Sequence, residues 1–295
     1  MLFVKDIEKI ILLSVLSQYL NKKRPINIML VAPSESGGST MMKQFDSISS
    51  VAFVSDITYK GLLDTLKDAL DGKCKTLMLS DYVKILGRPF TTRMNYETII
   101  NQAIEEGVKE ILLPNEMKVS FGKFVTLSLV TKVTTEMYNK NILSWYTTGF
   151  IQRFLVIKFE YTDDEVSTIM DFIISGKHFE KISFILPEIK NVTVNCKQEY
   201  YEILKEKSEK IAFNYGFRVQ QQLQLLLDSH ALFRYLDNDK IDKNVENIII
   251  DVNESDIKEI LRLSDYFYRP KKENRLKYDV SDDSDLSNFM RYNNE

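Results

Sequence analysis

A small-residue loop near the start of the chain constrains the fold more than any other feature. It runs from Ala32 to Thr40 (APSESGGST), after an apolar segment at Ile26–Val31 and before a helix-like segment from Met41. A strand, a glycine- and serine-rich loop and then a helix form a phosphate-binding P-loop, in which backbone N–H groups and a helix N-terminus converge on phosphate oxygens. The sequence therefore predicts an α/β fold built around a phosphate site.

The loop departs from the usual pattern at the position that carries a charge. The usual P-loop reads G-x-x-x-x-G-K-[ST]; its lysine reaches the β- and γ-phosphates and its hydroxyl binds Mg²⁺. Here Gly38 stands where the lysine belongs, and Lys43 is the next cation along the chain. The alternative interpretation is a flexible polar loop that binds nothing. The residues predicted to surround a nucleotide phosphate are Ala32, Gly37, Gly38, Ser39 and Thr40, with Ser39 also a metal ligand.

Length, charge and cysteine content narrow the functional classes. A chain of 295 residues has room for one large domain or two modest ones. The net charge of −3 argues against nucleic-acid binding over the whole surface, but not against a local basic site. Two cysteines form no disulfide framework, and no apolar stretch approaches the ~20 residues that cross a bilayer. We therefore expect a cytoplasmic protein with no membrane partner.

The order of predicted elements divides the chain into three parts. Strands and helices alternate in residues 1–198, which predicts an α/β core with a mostly parallel sheet. Residues 199–270 read as a small helical lid, and the polar residues 271–295 are expected to form a mobile tail. The clearest helices are Tyr59–Leu70, Asn95–Gly107 and Asp163–Ile174, and the clearest strands are Val51–Phe53, Thr76–Asp81 and Arg153–Phe159.

Three further residues stand where a P-loop protein carries its chemistry. Asp81 ends an apolar strand about forty residues after the loop, where a carboxylate helps to hold Mg²⁺. Thr134 ends the run Ser128–Thr134, which would bring its hydroxyl near a γ-phosphate or a nucleophilic water. Arg153 precedes a strand, and an arginine inserted from a neighbouring subunit neutralises transition-state charge. The alternatives are a solvated acid, a strand threonine and a salt-bridged surface arginine.

Taken in order, these features resemble those of the AAA+ ATPases, and most closely the ATPase module of the MCM helicases. The run Ser80–Ile85 (SDYVKI) resembles the Walker B segment of that module. On one alignment Ser80 takes the metal-binding acid position and Asp81 the catalytic one. Shifting the alignment by one residue places Asp81 at the metal-binding position and Tyr82 at the position of the catalytic acid. Either alignment lacks one acid of the usual pair.

A predicted hairpin extends the resemblance to a DNA contact. The extended runs Met117–Phe121 and Phe124–Val133 flank Gly122-Lys123, a pattern typical of a hairpin. It falls where MCM proteins carry a hairpin that touches DNA. The resemblance therefore implies that Lys123 binds DNA.

The resemblance covers roughly residues 25–267 and assigns three more roles. Thr134 falls at the sensor-1 position, and Arg153 at the arginine finger that serves the next subunit. Arg218, in the run Phe217–Leu223, falls at the sensor-2 position of the lid. We expect Arg153 at the surface, away from its own loop, and Arg218 on the side of the P-loop.

The resemblance implies ATP or ADP with Mg²⁺ as cofactors, DNA as a partner, and a homo-oligomer or AAA+ partner subunits. Losing one preorganised electrostatic contact typically costs about 10²–10³ in rate, and this chain lacks both the loop lysine and one acid. The first interpretation is a pseudo-ATPase or partner subunit in DNA replication or processing, of the compact kind that a virus or mobile element carries. The alternative is an active, ring-forming, helicase-like motor. A non-AAA+ α/β protein with a chance series of motifs is the third. With the loop already shaped, Gly38→Lys is expected to raise ATP affinity.

Overall fold

A five-stranded parallel sheet forms the centre of the computed structural model, which describes residues 4–20, 24–112, 118–176, 191–212, 216–237 and 247–268. The predicted tail at 271–295 lies outside these residues. The helices are α1 (Lys5–Leu16), α2 (Gly38–Lys43), α3 (Tyr59–Leu70), α4 (Val83–Leu86), α5 (Phe90–Ala103), α6 (Thr135–Thr147), α7 (Asp163–Ile174), α8 (Gln198–Ile211), α9 (Phe217–Leu236) and α10 (Glu254–Leu263). The strands are β1 (Ile28–Ala32), β2 (Val51–Val54), β3 (Thr76–Leu79), β4 (Val108–Leu112), β5 (Lys118–Val125), β6 (Ser128–Thr134), β7 (Leu155–Lys158), β8 (Asn191–Asn195) and β9 (Asn247–Asp251).

The strand order is β2-β3-β6-β1-β7, and every neighbouring pair runs parallel. All five residues of β1 are buried, as expected for a parallel strand with helices on both faces. Ala32 at the end of β1 lies beside Thr134 at the end of β6, so the loops that follow these strands meet at one edge. Ligands of parallel α/β sheets bind at this carboxyl edge. The predicted fold class, an α/β core with a mostly parallel sheet, is confirmed.

Two hydrophobic clusters cover the two faces of the sheet. On one face, α1 and α2 pack with α8, α9 and α10 in a cluster that includes residues of β1 and β7. The helical half of the chain is therefore folded onto the sheet. On the other face, α3 to α6 surround an aromatic group made of Tyr82, Tyr138, Trp145 and Phe150. None of the helices in the described ranges combines the length and apolar character that crossing a membrane requires.

The helical half contains a strand that the sequence pattern did not predict. β8 and β9 form a separate two-stranded parallel sheet, in register from Asn191 with Asn247 to Asn195 with Asp251. In β9 the side chains of Ile248 and Ile250 are buried, while Ile249 between them is 69% exposed. The alternation that marks a half-buried strand is therefore hidden in an unbroken run of isoleucines.

The predicted hairpin around Gly122-Lys123 is wrong. β5 continues through this pair and is antiparallel to β4, whereas β6 belongs to the central sheet. The β4–β5 pairing shifts register between Val108 and Glu110, and Gly122 has a φ of 73° in the facing part of β5. Bulges and turns both favour a glycine with positive φ, so the same sequence signal fits either structure.

Candidate functional site

The predicted phosphate-binding loop connects the end of β1 to the start of α2. Gly37 caps α2 with a φ of 72°, a left-handed conformation that costs glycine no steric strain. Glu35 has a φ of 63°, and within the described ranges it is the only non-glycine residue whose φ is positive. The N–H groups of Gly38, Ser39 and Thr40 belong to the first turn of α2, where no acceptor exists within the helix. The loop therefore offers backbone donors at the carboxyl edge of the sheet.

The loop contacts the segment that carries the predicted acid. Ser39 Oγ donates a hydrogen bond of 3.2 Å to the carbonyl oxygen of Ser80, the residue before Asp81. β3, the strand that precedes Asp81, is not next to β1, because β6 lies between them. The contact is possible because both chain segments extend beyond the end of the sheet. The structure thus places Ser39, one predicted metal ligand, in contact with the residue that precedes Asp81, the other.

The two oxygen groups fit Mg²⁺ only as part of a larger ligand set. A hydroxyl and a carboxylate are oxygen ligands of the kind that Mg²⁺ prefers, and Mg²⁺ usually completes its shell with water and substrate phosphates. Among the described residues, no group of three or more His, Cys, Asp and Glu side chains is placed to hold a metal. Asp81 Oδ1 also accepts a hydrogen bond of 3.2 Å from Val83 N. A Mg²⁺ ion at this position would therefore need phosphate oxygens and water to complete its ligand set.

Tyr82 does not substitute for the missing acid. Its side chain is fully buried in the aromatic cluster, with ring centroids 5.6 Å from Phe150 and 6.0 Å from Trp145. Burial raises the pKa of its phenol well above the usual value, so it stays neutral. Whichever alignment is used, Asp81 is the one carboxylate in the segment Ser80–Ile85.

Thr134 lies beside the loop but its hydroxyl has a structural partner. It pairs with Ala32 across the sheet and accepts a hydrogen bond of 3.3 Å from Met137 N, which caps α6. A capping hydroxyl of this kind stabilises the start of a helix.

Sequence reasoning missed Lys132, which lies against the loop. A Cβ atom placed on Gly38 would be 3.0 Å from Lys132 Cδ and 3.2 Å from Lys132 Cε. The ring of Phe159 is 3.6 Å from the same point. Lys132 is a half-buried residue in a strand that is otherwise largely buried. A lysine inside a largely apolar strand was the sequence signal that could have identified Lys132. Lys43, which is the nearest cation in the sequence, is exposed.

Arg153 and Arg218 are brought together on one buried carboxylate. Glu105, whose side chain is 7% exposed, lies 2.7 Å from Arg153 Nε and 2.7 Å from both Nε and Nη2 of Arg218. Arg24 approaches the same carboxylate at 3.7 Å. Burial lowers the pKa of the Arg153 guanidinium, and Glu105 opposes that shift. A cleft of about 390 Å³ opens beside this group, which we call the arginine cluster (Arg24, Glu105, Arg153 and Arg218).

The arginine cluster lies at the end of the sheet opposite the loop. Asn27, the residue before β1, donates a hydrogen bond of 3.2 Å to the Arg153 carbonyl oxygen, and Gln222 of α9 donates one of 2.7 Å to the same atom. β1 has five residues, which at ~3.3 Å each span about 16 Å. The expectation that Arg218 lies on the P-loop side is therefore wrong. Arg153 lies away from its own loop as expected, but it is paired with Glu105 rather than free at the surface.

Lys123 is an exposed residue of β5 rather than the tip of a hairpin. The chain between β4 and β5, residues 113–117, lies outside the described residues. The DNA contact assigned to Lys123 stays a prediction.

Comparison with known proteins finds likeness in structure alone. No protein-family model matches the sequence, and no curated protein matches it. The chain is similar to a full-length MCM homologue from Methanopyrus kandleri, with 11% identity, a TM-score of 0.47 and coverage of 90% of this chain and 56% of that one. It is also similar to Hsp104 in a closed state, with 11% identity, a TM-score of 0.34 and coverage of 97% and 44%. The chain thus spans about half the length of each. Likeness this distant says nothing about activity.

Proposed function

We propose that the chain is an AAA+-like P-loop protein that binds ATP or ADP with Mg²⁺ at the Ala32–Thr40 loop. The observation that carries this proposal is the contact between Ser39 and Ser80, which joins the loop to the segment that bears Asp81. On this proposal, the backbone donors of the loop, the Ser39 hydroxyl and the Asp81 carboxylate would bind one phosphate and its Mg²⁺ at the carboxyl edge of the parallel sheet, where phosphates bind in α/β proteins.

Calorimetric titration with ATP and ADP, with and without Mg²⁺, tests the proposed site. Ser39→Ala and Asp81→Asn should each weaken the Mg²⁺-dependent part of binding, because each removes an oxygen ligand. Ser34→Ala, at an exposed position of the same loop, is the matched control and should bind like wild type. A wild-type protein that binds neither nucleotide with Mg²⁺ would contradict the proposal.

We infer that hydrolysis is slow or absent. The segment after β3 supplies one carboxylate, and Tyr82 is buried away from the loop. A P-loop ATPase needs one group to hold Mg²⁺ and another to orient the attacking water. The proposal predicts little Mg²⁺-dependent ATPase activity in highly purified protein, and robust turnover would refute it. The active-motor alternative is favoured by one observation, the cation that Lys132 brings to Gly38.

We also infer that the arginine cluster serves the nucleotide of a neighbouring subunit, in an oligomer engaged in DNA replication or processing. Support comes from the open cleft lined by Arg24 and Arg218, beside the Glu105 carboxylate that Arg153 also contacts. The cluster lies at the end of β1 opposite the loop, and β1 is about 16 Å long. Arg153→Ala should leave the nucleotide affinity of the isolated subunit unchanged and weaken nucleotide-dependent assembly in analytical ultracentrifugation. A strict monomer with nucleotide and DNA present would refute this role.

For the DNA partner, Lys123→Ala should weaken binding to a DNA oligonucleotide at low salt, and Lys118→Ala on the same strand is the control.

A further inference from the structure

The space beside Gly38 is filled by a side chain from another strand. Lys132 belongs to β6, next to β1 in the sheet, and its Leu30 partner places it on the face that carries α2. Its Cδ and Cε atoms lie within 3.2 Å of the point where a Gly38 side chain would begin. The ammonium group is one bond beyond Cε. The sheet therefore delivers a positive charge to the position at which a P-loop lysine would leave the backbone.

Two polar groups at this place lack partners. Within the described part of the chain, the Lys132 ammonium forms no ion pair or hydrogen bond. Ser36, in the loop itself, is 7% exposed, and its Oγ has no hydrogen-bond partner there. Buried polar groups in folded proteins are nearly always hydrogen-bonded, so such a group at a loop with this geometry points to a polar ligand.

We propose that Lys132 is the cation that contacts the β- and γ-phosphates of a nucleoside triphosphate, in place of the absent loop lysine. This inference rests on the nucleotide site proposed above. This role also explains why position 38 is a glycine. A side chain at this position would have to displace the stem of Lys132, and the ring of Phe159 also lies close to it. It also reverses the expectation for Gly38→Lys, which would bring two ammonium groups to a space that holds one.

The test is a set of calorimetric titrations with ATP and ADP in the presence of Mg²⁺. Lys132→Met keeps an unbranched side chain to pack against Gly38 and removes the charge. It should weaken ATP binding by about 10- to 100-fold, the usual effect of losing a hydrogen bond to a charged group, and weaken ADP binding less. Lys43→Met, at an exposed lysine one turn further on, is the matched control and should change ATP affinity by less than about twofold.

Rescue separates a phosphate contact from a packing role. Gly38→Lys alone should not tighten ATP binding. Gly38→Lys combined with Lys132→Ala, which removes the stem as well as the charge, should restore most of the ATP affinity that Lys132→Ala alone loses. The urea midpoint of Lys132→Met should stay close to wild type. If wild type binds ATP and Lys132→Met binds it equally well, the Lys132 assignment is overturned and the nucleotide site stands. Failure of the double variant to recover binding also overturns the assignment. If wild type binds no nucleotide, both proposals fall.

Discussion

Replacing Glu105 with glutamine should destabilise the protein more than any other single charge removal at the arginine cluster. The Glu105 carboxylate is 7% exposed and lies 2.7 Å from guanidinium nitrogens of both Arg153 and Arg218. Glutamine has nearly the same shape but no charge. The variant therefore keeps the packing and leaves two adjacent cations without their shared counter-ion.

The expected cost follows from the burial of the partners. Breaking a buried ion pair by removing one member costs about 3–5 kcal/mol, because the other charge stays desolvated. The value should be lower here, since the Arg218 side chain is 36% exposed and reaches water, while that of Arg153 is 17% exposed. Glutamine also retains one carbonyl oxygen as an acceptor. We expect a loss of about 2–3 kcal/mol in the free energy of unfolding.

Urea denaturation followed by tryptophan fluorescence measures this loss. Trp145 is the single tryptophan of the chain, and its side chain is 1% exposed in the core of the sheet domain. With a urea m-value of about 2–3 kcal/mol/M, the midpoint of Glu105→Gln should fall by about 1 M. Glu106→Gln, at the exposed neighbouring position, should change stability by less than about 0.5 kcal/mol. Equal midpoints for the two variants would refute the argument.

Two other predictions concern buried polar groups. Burial opposes ionisation of Asp256, but hydrogen bonds from His230, Arg234 and the Asn253 backbone outweigh it and lower the pKa of this carboxyl from 3.8 to about 2. A lowered native pKa adds stability above the unfolded value, so about 2 kcal/mol should be lost as the pH falls from about 4 to 2. Urea midpoints should show this slope in wild type and a flatter one in Asp256→Asn. Among the residues that the structure describes, the buried Tyr82 hydroxyl has no hydrogen-bond partner, so Tyr82→Phe should be neutral or stabilising by thermal melting. A loss above about 1 kcal/mol would contradict this.

Local sequence signals predicted the elements whose ends are set by nearby residues. α3 and α7 have the predicted bounds, Tyr59–Leu70 and Asp163–Ile174. Thr58 and Thr162 accept hydrogen bonds from the first turns of these helices, and Thr162 forms a full capping box with Glu165. The parallel sheet was predictable for a similar reason, because alternating apolar strands and amphipathic helices have few ways to bury both faces.

The features that were missed depend on which distant segments meet. Gly122 carries the same local signal in a bulge as in a turn, and the choice is made by the pairing of β5 with β4. Glu105 follows α5 with no motif around it, yet it joins arginines from two other parts of the chain. Arg218 lies in the first turn of α9, and the packing of α9 along α1 takes that end of the helix to the amino edge of the sheet, away from the P-loop side that we expected.

The proposed role of Lys132 beside Gly38 means that a motif along the chain is an incomplete account of a phosphate site. A P-loop lysine matters because of where its ammonium lies, and a sheet can deliver an ammonium to that place from a neighbouring strand as well as from the loop. The register that pairs Ala32 with Thr134 also fixes Lys132 two residues back, on the face of α2. A one-residue slip of β6 would turn Lys132 to the opposite face and leave the loop without a cation. On the proposal made for Lys132, the charge of the phosphate site is therefore set by strand register, which the loop sequence alone does not contain.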